Sequence, residues 1–360
     1  MKTNLLKFIF ILIFLGGADL LFSQQKIRDS VVAIAHEYFI VPEFPEIALN
    51  LMEIDIAAEL FNDKMEKIRD IKNITQKPSK EDLKKITQKT NRGTTVSYRM
   101  IDMIEEKGVY FIKTTVKYRD EKNNRGSYSD LYKVIINYPT FASLNKIDPT
   151  YYYGEKGTFS FATREYSDYQ KYSYRIKLEN GTVVDSGSGP IINFDRFFMN
   201  PANVGKKYII EGLYGGKTFK FIDPKTNDII ESIWNFFLSK PQGISEINAW
   251  ATEADWEKAK VWYIGIDNSF SSMFQFMYTS QKGNNYITVT PDARNLSVTC
   301  DPPQLLKDYS ARPSGGWLFI EMNFNKEWVK TLKNDTDVTI TISFQTQFER
   351  IVRTYRATIF

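Results

Sequence analysis

The chain alternates apolar and polar residues over much of its length, at the period of two that is typical of β-strands. Residues 95–104, 109–118 and 128–138 are three such runs, and turn-forming residues at 106–108 and 123–126 separate them. This pattern predicts an antiparallel meander.

In the residues before the meander, the apolar positions no longer follow a single period of two. Residues 30–40 predict a strand or a buried segment, and Ser79 after Pro78 has the features of a helix cap. Residues 24–139 are therefore predicted to form an α+β module that includes the meander. In residues 47–71 apolar positions recur at spacings of three and four, which predicts an amphipathic helix: Leu51, Ile54, Ala58, Phe61 and Met65.

Residues 140–228 consist of short alternating runs with regular turn signals, among them Asn180–Gly181 and Gly215–Gly216. This sequence pattern predicts an immunoglobulin-like β-sandwich, although the absence of a Cys-Trp-Cys core excludes an antibody-type domain. The runs are 157–163, 172–178, 183–186, 191–197, 208–213 and 218–222.

Residues 229–360 continue the β pattern and predict a C-terminal β-sandwich. Residues 229–238 are apolar and fit either a helix or an extended segment. Together these patterns predict a mainly β fold with an α+β N-terminal part and tandem immunoglobulin-like β-sandwich modules. The C-terminal runs are 261–266, 271–279, 286–290, 296–300, 317–324, 338–346 and 350–359.

The N-terminus has the layout of a secretory signal, with Lys2, an apolar stretch and a cleavage point after Ser23. Residues 1–23 are therefore predicted to be a signal peptide, and the rest to be exported to the periplasm, the outer membrane or the medium. An uncleaved anchor is the alternative. No later segment is long and apolar enough for a membrane span, so no integral span is expected after cleavage.

Composition narrows the chemistry further. The aromatic content of 15% favours a β-rich protein, and the interspersed charges, with a net charge of +4, argue against a nucleic-acid partner. His36 and Cys300 are the sole residues of their types, so a zinc site and an internal disulfide are not expected. We predict no cofactor and no catalytic residue.

Three sequence patterns are candidates for ligand binding or catalysis, and the first two favour structural roles. Residues 212–218 end like a phosphate-binding loop, yet they lack the first glycine and the following helix, which favours a hairpin. His36 lies in an apolar segment without a nucleophile motif, which favours a packed or surface histidine. Carboxylate pairs keep carbohydrate cleavage open as an alternative: Glu165/Asp168, Asp255/Glu257 and Glu105/Glu106.

Aromatic clusters supply candidates for recognition, because tyrosine and tryptophan are enriched in protein interfaces. Trp250, Trp256 and Trp262 recur every six residues, where core packing is the alternative to an aromatic platform. The predicted interaction surface comprises Tyr151, Tyr152, Tyr153, Tyr166, Tyr169, Trp250 and Trp256.

The C-terminal third also resembles a known family. Residues 261–268 (VWYIGIDN) are similar to the start of the periplasmic β-sandwich domains of the GldM/PorM family, and residues 283–291 with 296–298 resemble the next two strands. That family belongs to the gliding-motility and type IX secretion machinery of Bacteroidetes. Ser269 stands where the family usually has proline, and residues 1–230 do not match clearly.

The resemblance implies a non-catalytic protein of the bacterial cell envelope that contacts other envelope proteins or a second copy of itself. A secreted carbohydrate-binding protein, or a carbohydrate-active protein that uses carboxylates, is the alternative.

Overall fold

A computed structural model describes residues 27–41, 51–72, 74–75, 99–120, 122–142, 147–248, 261–264 and 270–359. Strands make up most of these residues, and they form three regions along the chain: an N-terminal region (27–138), a middle region (140–239) and a C-terminal region (243–359). The prediction of a mainly β fold is confirmed. No helix among the described residues has the length and hydrophobicity that a membrane crossing requires.

The N-terminal region is built on a five-stranded sheet in the order β1-β8-β7-β3-β4, and β2, β6 and β5 form a smaller sheet. Tyr132, Val134 and Ile112 lie in the core between them, beside Phe39 and Met100 of the smaller sheet. The strands are β1 (Ile27–Ile34), β2 (Tyr38–Val41), β3 (Leu51–Phe61), β4 (Lys67–Ile71), β5 (Ile74–Thr75), β6 (Arg99–Met103), β7 (Gly108–Asp120) and β8 (Arg125–Asn137).

The helix predicted over residues 47–71 is wrong, because strands β3 and β4 occupy this segment. The buried residues of β3 alternate from Ile54 to Leu60, and the spacing of three and four passes over Ile56 and Leu60. Met65 has a φ of 61° within the turn to β4, which a helix interior does not allow. The second predicted helix, after Pro78, lies outside the described residues.

The meander is confirmed in part. β7 and β8 form a long hairpin from Gly108↔Ile136 to Arg119↔Arg125. β6, in contrast, pairs with β2 and β5 in the smaller sheet.

In the middle region, the main sheet has the order β12-β11-β14-β18-β9, and its core is a dense set of Phe and Tyr rings. β18 pairs with β14 and β9, so this sheet continues past the predicted module boundary at residue 228. The elements are β9 (Thr150–Tyr152), β10 (Thr158–Ser160), β11 (Tyr172–Leu178), β12 (Val183–Ser188), β13 (Ile191–Asn193), α1 (Asp195–Phe198), β14 (Lys206–Tyr214), β15 (Lys217–Thr218), β16 (Lys220–Ile222), β17 (Ile229–Glu231) and β18 (Ile233–Ser239).

The C-terminal region is a two-sheet sandwich, with β19-β21-β25-β24 facing β20-β27-β26-β23, and β22 extends β21. Inward residues such as Phe276, Ile320, Ile340 and Tyr355 are fully buried between the sheets. The elements are β19 (Gly243–Asn248), β20 (Val261–Ile264), β21 (Ser271–Lys282), β22 (Asn285–Val289), β23 (Arg294–Asp301), β24 (Leu306–Ser314), β25 (Trp317–Phe324), α2 (Lys326–Val329), β26 (Thr336–Gln345) and β27 (Arg350–Ile359).

Candidate interaction sites

The tyrosines predicted for recognition lie mostly at two contacts inside the chain. We call the contact between the N-terminal and middle regions the first seam, and the contact between the middle and C-terminal regions the second seam.

Tyr166 is the central residue of the first seam. Tyr166 is 1% exposed, and its ring stacks on Tyr214 with 3.9 Å between ring centroids. Its hydroxyl donates a hydrogen bond to the carbonyl of Ala35 in the N-terminal region, at 2.7 Å. Burial raises the pKa of Tyr166 far above its ordinary value, so the hydroxyl stays protonated and keeps donating.

Glu37 accepts two further contacts across the same seam. The hydroxyl of Tyr214 donates to its Oε1, and the Nζ of Lys171 lies 3.1 Å from its Oε2. Burial, followed by the Glu37 hydrogen bond, raises the pKa of Tyr214. One carboxylate of the N-terminal region thus receives two donors from the middle region.

Charged pairs continue the first seam towards the solvent. Lys217 pairs with Glu105, and Lys220 Nζ lies 3.0 Å from Glu106 Oε1. Glu106 also accepts from the hydroxyl of Tyr138. The hydrogen bonds from Tyr138 and then Lys220 lower the pKa of Glu106, so this carboxylate is held ionised.

His36 lies on the turn between β1 and β2, with a φ of 64°, at a cleft of about 170 Å³ beside these pairs. Its backbone N–H donates to the carbonyl of Ile104 at 3.0 Å. Burial lowers the pKa of its imidazole, although Glu105 acts in the opposite direction. The side chain is half-buried at the seam, which agrees with a packed histidine.

Tyr151, Tyr152 and Tyr153 lie together at the second seam. Lys282 of the C-terminal region places its ammonium 4.2 Å from the ring centroid of Tyr151 and pairs with Glu155 at 2.6 Å. Tyr152 accepts a hydrogen bond from Gln242 Nε2 at 2.8 Å.

Tyr153 is 6% exposed and meets Phe348 of the C-terminal region edge-on, with 4.9 Å between ring centroids. The neighbouring Gly154 has a φ of 82°, and a Cβ at this position would lie 1.9 Å from Val289 Cγ2. Only glycine therefore fits both the backbone conformation and the close approach of β22.

Tyr169 differs from the other described candidates, because 59% of its surface is exposed. It lies beside Tyr172, at the end of β11 that pairs with Ser188 of β12. Within the described part of the chain, β12 is an edge strand, and it carries two exposed valines, Val183 at 48% and Val184 at 40%. Trp250 and Trp256 lie outside the described residues.

The carboxylates considered for catalysis have structural partners. Glu165 accepts from the backbone N–H of Thr140 at 2.6 Å, and Asp168 caps the short helical turn Tyr169–Lys171 through the N–H of Gln170. Glu105 and Glu106 bind the seam lysines. Asp255 and Glu257 lie outside the described residues.

The hairpin predicted over residues 212–218 is confirmed. Gly215 and Gly216, with φ values of 58° and 84°, form the turn of the β14–β15 hairpin in place of a phosphate loop. Cys300 is buried on β23, and burial raises the pKa of its thiol to about 11. Among the described residues, no group of three or more His, Cys, Asp or Glu is placed to hold a metal ion.

Comparison with known proteins gives no family. No family model matches the chain, and no curated protein matches it. Solved structures that align with it include Dpr2 Ig1-Ig2 in complex with DIP-Theta Ig1-Ig3, with a TM-score of 0.27, 8% identity and coverage of 93% of this chain and 98% of that one.

The ICAM-5 D1-D4 ectodomain fragment aligns with a TM-score of 0.21 and 8% identity, over 92% of this chain and 75% of that one. Sidekick-1 immunoglobulin domains 1-4 align with a TM-score of 0.19 and 13% identity, over 92% and 74%. All three TM-scores are below 0.3, and these alignments assign the chain to no superfamily.

Proposed function

We propose that this chain is a non-catalytic, exported component of the bacterial cell envelope that binds other proteins through exposed strand edges. The observation that carries the proposal is the β12 edge with Val183 and Val184, which offers backbone groups and apolar side chains to an added strand. The two seams support it, because they hold that edge on a framework of joined regions.

Association with type IX secretion or gliding machinery is the more specific form of the proposal. It is supported by the resemblance of residues 261–268, 283–291 and 296–298 to the GldM/PorM sandwich domains. The resemblance lies in the C-terminal region, whereas the β12 edge lies in the middle region, so the two parts of the proposal are tested separately.

The test is affinity capture of the tagged chain from crosslinked envelopes, with mass spectrometry of the captured proteins and of the N-terminus of the bait. We expect secretion or gliding components with the wild-type chain, and a bait that starts at Gln24. A bait that is cleaved but returns alone, or that is found free in the medium, would contradict the envelope role and would direct the search to glycan arrays.

Variants then test the edge. Val183→Lys with Val184→Lys should abolish capture, because charged side chains on an edge strand oppose strand addition. Ile229→Lys is the matched control, since Ile229 is 55% exposed on a different hairpin. Equal loss with both variants would count against β12 as the binding edge.

A further inference from the structure

β24 is the outermost strand of its sheet. Among the described residues it is paired with β25 alone, and every residue of β24 after Leu306 is exposed. Such an edge presents a row of backbone donors and acceptors to any strand that can align with it.

The hairpin between β24 and β25 determines which groups face outwards. Gly315 and Gly316, both at positive φ, form a two-residue turn closed by the pair Ser314↔Trp317. That closing pair is hydrogen-bonded, and such pairs alternate along an antiparallel ladder. The backbone groups of Tyr309, Ala311 and Pro313 therefore point away from β25, to the open side.

Both ends of this edge limit where another strand can pair. At one end the register with β25 shifts between Leu306 and Asp308, which is a bulge. At the other end Pro313 has no N–H, as is common for proline on an edge. The usable edge is the segment from Asp308 to Arg312.

This segment is complementary to itself. In an antiparallel pair of two copies with the two-fold axis at Ser310, Tyr309 of each copy faces Ala311 of the other. Both have outward backbone groups, so each such pair exchanges both of its hydrogen bonds. Asp308 of each copy then lies opposite Arg312 of the other, and opposite charges in these positions stabilise a ladder.

Other registers lack this match. An axis at Tyr309 places Asp308 opposite Ser310, and an axis at Ala311 places Arg312 opposite Ser310. The charged residues thus favour one alignment among those that the outward backbone groups permit.

The side chains can make the contact without losing their present partners. Arg312 binds Glu321 Oε1 through Nε and Nη2, at 3.1 and 2.9 Å, and a guanidinium has further N–H donors. Asp308 accepts from Asn323 at 2.5 Å, and a carboxylate can accept several hydrogen bonds. Cross-strand residues in such non-hydrogen-bonded pairs lie about 4.5 Å apart at Cα.

We infer that β24 is a self-association edge, through which two copies of this chain form a dimer with a sheet continuous across the two-fold axis at Ser310. The inference concerns a second copy and does not depend on the envelope partners proposed above. A contact of this length lies at the small end of protein interfaces, below about 1,200 Å², so the dimer is weak and dissociates on dilution.

Analytical ultracentrifugation of residues 24–360, from about 1 µM to about 1 mM, tests the dimer. We expect a monomer–dimer equilibrium for the wild-type chain. Asp308→Arg or Arg312→Asp alone should each weaken it about ten-fold or more, because like charges then face each other. Arg356→Asp, an exposed charge on the central strand β27, is the matched control and should change nothing.

Mixing the two variants gives the decisive result. In a heterodimer of Asp308→Arg with Arg312→Asp, one charged contact has its signs exchanged and the other keeps its native residues, so association should recover. A folding defect cannot produce that recovery. A wild-type chain that stays monomeric throughout, or a mixture no better than either variant alone, would overturn the inference and identify the charges as protection against pairing.

Crosslinking tests the register. Ser310→Cys should form a disulfide-linked dimer on mild oxidation, since the two positions meet on the axis within disulfide reach. Ser314→Cys, distant from the axis on the same strand, should not. The wild-type chain is the control for Cys300, which is buried. A crosslink at Ser314 instead of Ser310 would contradict the register.

Discussion

The two seams join neighbouring regions by different means. The first seam consists of tyrosine hydroxyls and lysines of the middle region that bind a carbonyl and three glutamates of the N-terminal region. The second seam buries rings and a valine against a glycine, and Lys282 is its charged contact. Ile34 and Ile222 also pack across the first seam, and Gln242 donates to Tyr152 at the second, but polar contacts predominate at the first seam and close packing at the second.

This difference sets how each seam responds to change. Contacts to carboxylates weaken in acid and ion pairs weaken with salt, whereas a packed contact is sensitive to added volume. The seams should therefore fail under different perturbations, and variants can separate them.

The largest effect is expected at the second seam. Gly154→Ala places a Cβ against Val289 and strains a backbone φ of 82°. We expect it to destabilise the chain by about 1–3 kcal/mol more than Gly181→Ala, the control with a φ of 85° and open space around it. Urea denaturation measures both, and adding Val289→Ala to Gly154→Ala should recover part of the loss. Equal effects of the two glycine variants would refute close packing at this seam.

An intermediate effect is expected at the first seam. Tyr166→Phe removes the hydrogen bond to Ala35 and leaves that carbonyl without this donor, a loss of about 1–2 kcal/mol. Hydrogen exchange should accelerate at the amides of Ala35 and His36, which donate to Asn137 and Ile104.

Tyr208→Phe is the matched control for that experiment. Tyr208 is also buried, but its hydroxyl donates to Asn203 within the middle region. It should leave exchange at residues 35 and 36 unchanged. If both variants accelerate exchange there, Tyr166 acts on the middle region as a whole and not on the seam.

The smallest effect is the pH dependence of the first seam. The pKa of Glu106 is lowered in the folded chain by Tyr138 and Lys220, so its contribution to stability is present above its ordinary pKa of 4.5. That contribution is lost as the pH falls through the lower folded value. The difference in unfolding free energy between wild type and Glu106→Gln should therefore be constant near neutral pH and shrink in acid. A difference that grows in acid would contradict the assigned direction.

The sequence predicts strands well where one face is buried. Val338, Ile340 and Ile342 on β26 alternate with Thr residues, and each is buried in the sandwich as the period of two requires. β3 misleads because Ala57 and Phe61 add apolar residues between and beside the alternating buried positions, so that a spacing of three and four fits as well.

β24 escapes prediction for a related reason. As an edge strand it buries almost nothing, so its sequence, LKDYSARPS, has no alternation of apolar and polar residues. Pro313 also argues against a strand, because proline is rare inside sheets. Its existence follows from the pairing with β25, which is a tertiary property. The contacts of Tyr166 and Tyr153 are tertiary properties too. Tyrosine is enriched in contact surfaces, but the sequence does not show that the partner surface lies within the same chain.

The parallel pairing of β1 with β8 has a consequence for the order in which the chain is completed. Ile27 aligns with Leu131 and Ile34 with Asn137, so β1 can pair only after β8, the last strand of its region, is available. As the chain emerges during synthesis, β1 stays unpaired at this edge until about a hundred further residues have appeared. During that interval the β1 segment is open to a chaperone or to another nascent chain.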